Sequence, residues 1–218
     1  MKKVLAMVLA LAMVFALCAC GNGGNNGGDS ATYDKITLTM AVNGTDTQVD
    51  SRVANHFKEL VEEATDGAVQ IEVYPNDQLA GGNASKGVEM VVNGSTDIAA
   101  YATVSLSVLD PKLGIALVPW TFSSYEQARQ VIDDTGLAYY DSILQDYGLT
   151  AVGSFHNGFR QLSNNVRPVT APEDLKGLKI RGVSDWANIE TRLGASVVTM
   201  DGGDCYEALS RGTIDAAE

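Results

Sequence analysis

Three arginines stand close together in an acidic chain, and guanidinium groups are suited to holding a carboxylate. The segment GFRQLSNNVRPVTAPEDLKGLKIR, residues 158–181, contains Arg160, Arg167 and Arg181, whereas the whole chain of 218 residues has a formal net charge of -12. The planar fork of arginine donates two parallel charge-assisted hydrogen bonds to a carboxylate and so fixes its orientation. Two such forks aimed into one cleft would form an anion site.

The neighbouring sequence predicts where these arginines lie in the fold. Arg160 comes just after a predicted strand at 149–155, and Arg181 lies inside or at the end of another at 178–183. Ligand sites of open α/β sheets occupy crevices at strand ends, so both side chains could reach one crevice. Arg167 precedes a proline in a loop, and we interpret it as a loop residue. Surface arginines that balance nearby acids are the alternative for each of the three.

Three further residues are candidates for the walls of this site. Asn43 and Tyr101 follow the first and third predicted strands, where they could line the opposite side of a cleft. Trp186 stands where a loop enters a predicted helix and could form an aromatic wall for an organic acid. Packing of Trp186 in the core is the alternative.

The elements that would position these residues follow from two hydrophobic periods. Residues 35–42 alternate with a period of two, as a half-buried strand does, and residues 49–65 repeat apolar side chains every three or four positions, as an amphipathic helix does. The same reasoning predicts strands at 68–74, 97–102, 115–120, 149–155, 178–183, 195–200 and 213–217, and helices at 83–93, 123–148, 186–193 and 204–210. This alternation predicts an α/β fold in which helices cover a sheet.

The first 32 residues carry signals for export. A basic start and an apolar run predict a secretory signal peptide over residues 1–19. LCACG at 17–21 resembles the bacterial lipoprotein box, in which Cys20 would receive lipid and become the mature N-terminus. Residues 20–32, rich in Gly and Asn, are expected to form a flexible tether. We therefore predict an extracytoplasmic protein that is lipid-anchored to the cell membrane, with an uncleaved signal anchor as the alternative.

The composition argues against several function classes. Loss of the two lysines in the signal peptide takes the formal charge from -12 to -14, and nucleic acid demands a basic face. Two histidines and one cysteine outside the export signal cannot close a zinc site, so no metal and no cofactor are expected.

A cysteine enzyme is the catalytic alternative. Cys205 with His56 or His156 would supply a nucleophile and a base. However, Cys205 shares a predicted helix face with Leu209, which favours a small buried residue. We therefore predict that the chain is not an enzyme.

Several motifs, in order along the chain, resemble the DctP-type substrate-binding proteins of tripartite ATP-independent periplasmic (TRAP) transporters. The segments that carry the resemblance are AGG at 80–82, NGSTDI at 93–98, GFRQ at 158–161, RPV at 167–169, PEDLKGLKIR at 172–181, YEAL at 206–209 and GTID at 212–215. Together they cover about residues 33–218.

The resemblance implies a two-lobed periplasmic-binding-protein-like fold. Residues 33–153 would belong to the first α/β lobe and 154–218 to the second, both incomplete, because members of the family are distinctly longer and the chain looks truncated at its C-terminus. Arg181, which ends the GLKIR motif, would be the carboxylate clamp, and Arg160 would be a second, weaker ionic contact. A ligand-binding asparagine of the family would lie beyond Glu218.

The function implied is uptake without catalysis. The protein would bind a small organic acid, either a dicarboxylate or a sugar acid, and deliver it to the membrane permease subunits of a TRAP transporter. The loops that border the pocket depart from the family, with Gly182-Val183 in place of Val-Pro and with DGGD at 201–204, so the ligand stays open. A solute-binding lipoprotein of an ATP-driven importer, the cysteine enzyme and a structural surface protein are the alternatives.

Overall fold

Parallel strands and covering helices alternate along the chain, as the hydrophobic periods predict. The structure, a computed structural model, describes residues 33–182 and 184–218. The predicted signal peptide, the lipidation site Cys20 and the tether at 20–32 lie outside these residues. Residues 33–218 form one compact unit, and the predicted lobe boundary between 153 and 154 stays a prediction.

The first sheet has three parallel strands in the order β2-β1-β3. Its strands are β1 (Ile36–Val42), β2 (Val69–Tyr74) and β3 (Ile98–Ala100). Helices α1 (Val49–Ala64) and α2 (Ala84–Val92) connect them. All five elements occur where the sequence predicts them, which confirms the α/β fold class.

The core of the first sheet lies between the strands and α1. Val42 and Ala54 are fully buried, Ile71 is 1% exposed, and Met40 and Ala100 complete the cluster. Burial of a side chain the size of valine or isoleucine contributes about 1.5–3 kcal/mol. This packing holds the ends of the three strands in fixed positions.

Helices occupy the middle of the chain. They are α3 (Thr103–Leu106), a 3-10 helix (Pro111–Leu117), α4 (Tyr125–Val131), a π-helical turn (Ile132–Gly136) and α5 (Leu137–Leu144). The last three follow one another without a gap, as expected for the long helix predicted at 123–148. Among the described residues, no helix combines the length and the apolar character needed to cross a membrane.

The strand predicted at 115–120 is wrong. Pro111 begins a 3-10 helix there, and the Asp110 side chain accepts a hydrogen bond of 2.8 Å from the backbone nitrogen of Lys112 at its start. Leu113 is fully buried and packs with residues of α5. Within the run, Ile115 and Val118 are more than half exposed, and a short apolar run alone does not distinguish a strand from a helical segment.

The second sheet has four short strands in the order β4-β7-β5-β6. They are β4 (Ser163–Asn164), β5 (Lys179–Arg181), β6 (Ser196–Val198) and β7 (Ala216–Ala217). Strand β5 is parallel to β6 and β7, whereas β4 is antiparallel to β7. Helices α6 (Ser184–Arg192) and α7 (Cys205–Ser210) lie in the connections. Leu178, Ile180, Ala195 and Ala216 form the buried core.

The strand predicted at 149–155 is also wrong. This segment pairs with no strand in the part of the chain that the structure describes, and Val152 is 75% exposed. A strand needs a neighbour to satisfy its backbone groups. Short 3-10 helices complete the described elements at Gln78–Ala80, Gln145–Tyr147, Pro172–Leu175 and Gly202–Asp204.

Candidate functional site

The topology of the second sheet brings Arg160 and Arg181 to one edge. Arg181 is the last residue of β5, and Glu218 directly follows β7, which is parallel to β5. Arg160 precedes β4, and because β4 is antiparallel to β7 its beginning lies at the edge where β7 ends. Arg160 therefore reaches this edge by preceding an antiparallel strand, and the expectation that it follows a strand at 149–155 is wrong.

Arg160 is paired with a carboxylate and lies near an aromatic ring. Its Nη1 bonds to Oε2 of Glu218, whose side chain is 5% exposed. The guanidinium carbon lies 5.8 Å from the ring centroid of Trp186, within cation–π range. Trp186 is half-buried, and its buried Nε1 has no hydrogen-bond partner among the described residues. The Trp186 indole ring therefore flanks the Arg160 guanidinium group.

Arg181 is fixed by the backbone. Its Nε donates a hydrogen bond of 3.1 Å to the carbonyl of Met200. Its Nη2 lies 3.7 Å from the point where a Cβ on Gly202 would stand. Within residues 33–182 and 184–218, Arg181 makes no ion pair. A half-buried guanidinium without a carboxylate partner is suited to an external anion.

A buried carboxyl group that the sequence analysis missed lies behind the two arginines. Glu190 is 5% exposed, and its Oε2, which has no described partner, lies 2.6 Å from the point where a Cβ on Gly182 would stand. Burial and then the charge of Glu218 raise its pKa to about 7, while Arg160 and Arg181 lower it. Its four-residue spacing from Trp186 on α6 was the available signal, since such residues share a helix face.

We predict that the fold loses stability between pH 4.5 and about pH 7, because the raised pKa of Glu190 keeps its carboxyl protonated in the folded state after it has ionised in the unfolded chain. A carboxyl whose pKa is raised by folding contributes stability at low pH, and this is lost as the pH rises through the folded value of about 7. Glu190→Gln should match wild type near pH 4.5 and exceed its free energy of unfolding at pH 8.5 by up to about 3 kcal/mol. Urea unfolding at each pH measures the difference.

Glu63→Gln, at an exposed position of α1, is the control and should keep the pH dependence of the wild type. Equal pH dependence of wild type and Glu190→Gln between pH 4.5 and 8.5 would contradict the prediction.

A second group of polar residues lies where the strands of the first sheet end. Asn43 follows β1, Asp77 lies just beyond β2, and Tyr101 follows β3. Because the three strands are parallel, their carboxyl ends meet at one edge. Nδ2 of Asn43 donates a hydrogen bond of 2.6 Å to Oδ2 of Asp77. Asn43 and Tyr101 are predicted from the sequence by their positions after strands, whereas Asp77 is not.

Asp77 and Tyr101 meet next to a glycine of α2. Asp77 is 4% exposed and Tyr101 9% exposed. A Cβ on Gly87 would stand 2.0 Å from the Tyr101 hydroxyl and 3.2 Å from Oδ1 of Asp77, so only glycine leaves room for this arrangement. Neither of these two oxygens has a described partner of standard hydrogen-bond geometry.

The charges near this edge are negative. Burial raises the pKa of Asp77, and the carboxylates of Asp201 and Asp50 raise it further, against the hydrogen-bonding effects of Tyr101 and Asn43. Burial, followed by Asp77, raises the pKa of Tyr101. The phenol therefore stays protonated at neutral pH.

The segment 200–204 connects the two groups of residues. On one side its Met200 carbonyl binds Arg181. On the other, a Cβ on Gly203 would stand 2.9 Å from Oδ1 of Asn76, the neighbour of Asp77. The segment therefore lies close both to Arg181 and to the residue next to Asp77.

The remaining arginine of the opening segment has a structural role. Nε and Nη2 of Arg167 donate hydrogen bonds of 2.9 and 2.6 Å to the carbonyls of Asp174 and Lys176. It fastens the loop before β5, which agrees with the interpretation of Arg167 as a loop residue.

The geometry around Cys205 does not favour catalysis. Burial is the main cause of a raised pKa of this thiol, and the thiolate is the nucleophile. His56 pairs with Glu59 at 3.5 Å, and His156 accepts a hydrogen bond from the backbone of Gly158, so neither is engaged as a base for Cys205. Within the described ranges, no group of three or more His, Cys, Asp or Glu side chains could hold a metal ion.

Comparison with known proteins gives a consistent set of relatives. Residues 40–218 match the family described as bacterial extracellular solute-binding protein, family 7. The chain is 31% identical over 175 residues to the 2,3-diketo-L-gulonate-binding periplasmic protein of Escherichia coli, covering 78% of this chain and 53% of that protein. It is 30% identical over 168 residues to the C4-dicarboxylate-binding protein of Bacillus subtilis, covering 76% and 47%.

A solved structure shares the fold. It is a TRAP periplasmic solute-binding protein from Chromohalobacter salexigens with bound D-glucuronate, which has a TM-score of 0.76 and 25% identity and covers 83% of this chain and 60% of that one. The chain thus spans about half the length of the curated relatives it matches.

Proposed function

Because this chain belongs to the family of bacterial extracellular solute-binding proteins, family 7, we propose that it captures an organic acid outside the cytoplasm for a TRAP-type uptake transporter. Membership confirms the resemblance carried by the motifs between residues 80 and 215. A family of solute-binding proteins also supports the prediction that the chain is not an enzyme.

The observation that carries this proposal is the unequal engagement of the two arginines. Arg160 is ion-paired to Glu218, whereas the one hydrogen-bond partner of the Arg181 side chain among the described residues is the Met200 carbonyl, at Nε. The terminal nitrogens of Arg181 can therefore take a carboxylate in the planar, two-bond geometry that arginine favours. In the proposed site Arg181 is the clamp, Arg160 supplies a second positive charge, and Trp186 forms a wall.

Delivery to a permease requires a bound state that differs from the empty one. An anion that contacts both sides of the cleft favours closure by its differential affinity for the closed state. The segment 200–204, which touches both Arg181 and Asn76, is where the two sides approach each other. The partners proposed are the membrane permease subunits of the transporter.

We also propose that the protein is held at the membrane by lipid on Cys20. Fatty-acid labelling of cells that express the protein should give a labelled product, and Cys20→Ser should lose the label. Labelling of Cys20→Ser at the wild-type level would contradict the anchor.

Calorimetric titration of the full-length protein tests the proposed function. The panel is D-glucuronate, D-galacturonate and succinate, which are bound by relatives of known structure, with D-glucose as the neutral match of the first. At least one acid should bind and glucose should not, because the site recognises a carboxylate. Binding of glucose as tight as that of the best acid, or binding of no organic acid, would contradict the proposal.

A further inference from the structure

We propose that the first-sheet side of the cleft accepts hydroxyl groups, so that the ligand is a hydroxylated monocarboxylate such as a sugar acid, and that Asp77 is the positioning residue behind this preference. The inference rests on the proposed function, which places the ligand carboxylate at Arg181. It decides between the two ligand classes, sugar acids and dicarboxylates, that the site chemistry otherwise leaves open.

The hydrogen bond between Asn43 and Asp77 fixes which way the Asn43 amide faces. Its Nδ2 donates to Oδ2 of Asp77 at 2.6 Å. The amide nitrogen of Asn43 therefore points at Asp77, and its carbonyl oxygen Oδ1 points away. Asn43 is half-buried, whereas Asp77 is 4% exposed, so Asn43 is the member of the pair that can meet a ligand with its acceptor oxygen.

The Tyr101 hydroxyl, like the Asn43 amide, lies beside an oxygen of Asp77. It lies with Oδ1 of Asp77 beside Gly87, both within 3.2 Å of the point where a Cβ on that glycine would stand. Because the phenol keeps its proton, the adjacent Asp77 oxygen is the acceptor toward which it can turn. One N–H of the Asn43 amide is thus directed at Asp77, the buried Tyr101 hydroxyl lies beside the other Asp77 oxygen, and the Asn43 carbonyl oxygen remains as the acceptor for a ligand.

The negative charge of nearby carboxylates also favours a ligand hydroxyl group over a second ligand carboxylate. The carboxylates of Asp201 and Asp50 are close enough to Asp77 to raise its pKa. In the described part of the chain, none of these three carboxylates has an ion-pair partner. A second carboxylate on the ligand would meet acceptor oxygens and like charge here, whereas a hydroxyl group would donate to them.

An amino acid would fit less well than a hydroxy acid. Its ammonium group is next to its carboxylate and would therefore lie beside Arg181 and Arg160, where like charges repel. Hydroxyl groups several bonds from the carboxylate can instead reach the Asn43 side without that repulsion.

A comparison of the affinities for matched acids tests the inference. In calorimetric titrations of the full-length protein at pH 7.5, D-glucuronate or D-galactonate should bind at least tenfold more tightly than succinate. In Asp77→Asn this ratio should fall at least threefold, because the amide at position 77 can also donate and no longer orients Asn43. A merely structural role of Asp77 would weaken both acids equally and leave the ratio unchanged.

The matched control is Asp46→Asn, an exposed position in the loop after β1, which should keep the wild-type ratio. Succinate bound as tightly as both sugar acids by wild type would overturn the inference while leaving the proposed function standing. A ratio unchanged in Asp77→Asn would overturn the role of Asp77. The wild-type ratio is measurable whether or not Asp77→Asn folds. Failure of every acid to bind would instead overturn the proposed function itself.

Discussion

Arg181→Ala should weaken binding of the preferred organic acid by about 30-fold to several thousand-fold. Truncation of one partner of a desolvated, hydrogen-bonded charge pair costs about 2–5 kcal/mol, and each 1.4 kcal/mol is a factor of ten in Kd. Arg181 is half-buried and its Nε is held by the Met200 carbonyl, so its guanidinium group is positioned before a ligand arrives. Calorimetric titration of wild type and variant measures the change.

Two further variants separate charge from geometry. Arg181→Lys keeps the positive charge but loses the planar fork, and it should bind more weakly than wild type and more tightly than Arg181→Ala. Arg167→Ala, in the same sequence segment but bonded to backbone carbonyls, should lower thermal stability and leave Kd unchanged. Wild-type affinity in Arg181→Ala would exclude the clamp.

Arg160→Ala should destabilise the fold by about 2–4 kcal/mol. The Glu218 side chain is 5% exposed, and removal of its partner would leave a buried carboxylate unpaired, which typically costs 3–5 kcal/mol. We expect a smaller loss because the Arg160 side chain is 28% exposed and part of its charge is screened by water. The Trp186 ring would also lose its contact with the guanidinium group. Chemical unfolding at pH 7.5 measures the effect.

A double variant shows whether the buried charge is the cause. Arg160→Ala combined with Glu218→Gln should recover most of the lost stability, because a neutral amide is cheaper to bury than a carboxylate. The matched control is Arg129→Ala, whose ion pair with Asp133 joins side chains that are 82% and 62% exposed. That change should cost less than about 1 kcal/mol. An Arg160→Ala effect as small as that of Arg129→Ala would contradict a buried pair.

The parts of the fold that sequence reasoning predicted are those encoded locally. The period of two at residues 35–42 and the helical period at 49–65 each bury one face, and both elements occur as predicted. The apolar run at 115–120 is too short to reveal a period, and the proline and Asp110 before it begin a 3-10 helix. Strand β4 is only two residues long and depends on β7, more than fifty residues away, so no local pattern indicates it.

In the candidate site, too, local sequence indicates some residues, whereas others depend on distant contacts. Arg160 and Arg181 stand out in sequence because guanidinium groups are scarce in an acidic chain. Glu218 and Asp77 are ordinary acidic residues whose roles arise from pairing at a distance, and Glu190 is distinguished only by its burial near Glu218 and the two arginines. Glu218 meets Arg160 across 58 positions, and Asp77 meets Asn43 across 34. Such contacts are set by strand order, which periodicity does not specify.

The central claim is that Arg181 holds the carboxylate of an organic acid. The most direct measurement is a crystal structure of the full-length protein with whichever of D-glucuronate, D-galactonate or succinate binds most tightly. We predict a ligand carboxylate about 2.7–2.9 Å from Nη1 and Nη2 of Arg181, with a ligand hydroxyl donating to Oδ1 of Asn43. A ligand carboxylate that does not contact Arg181 would contradict the claim.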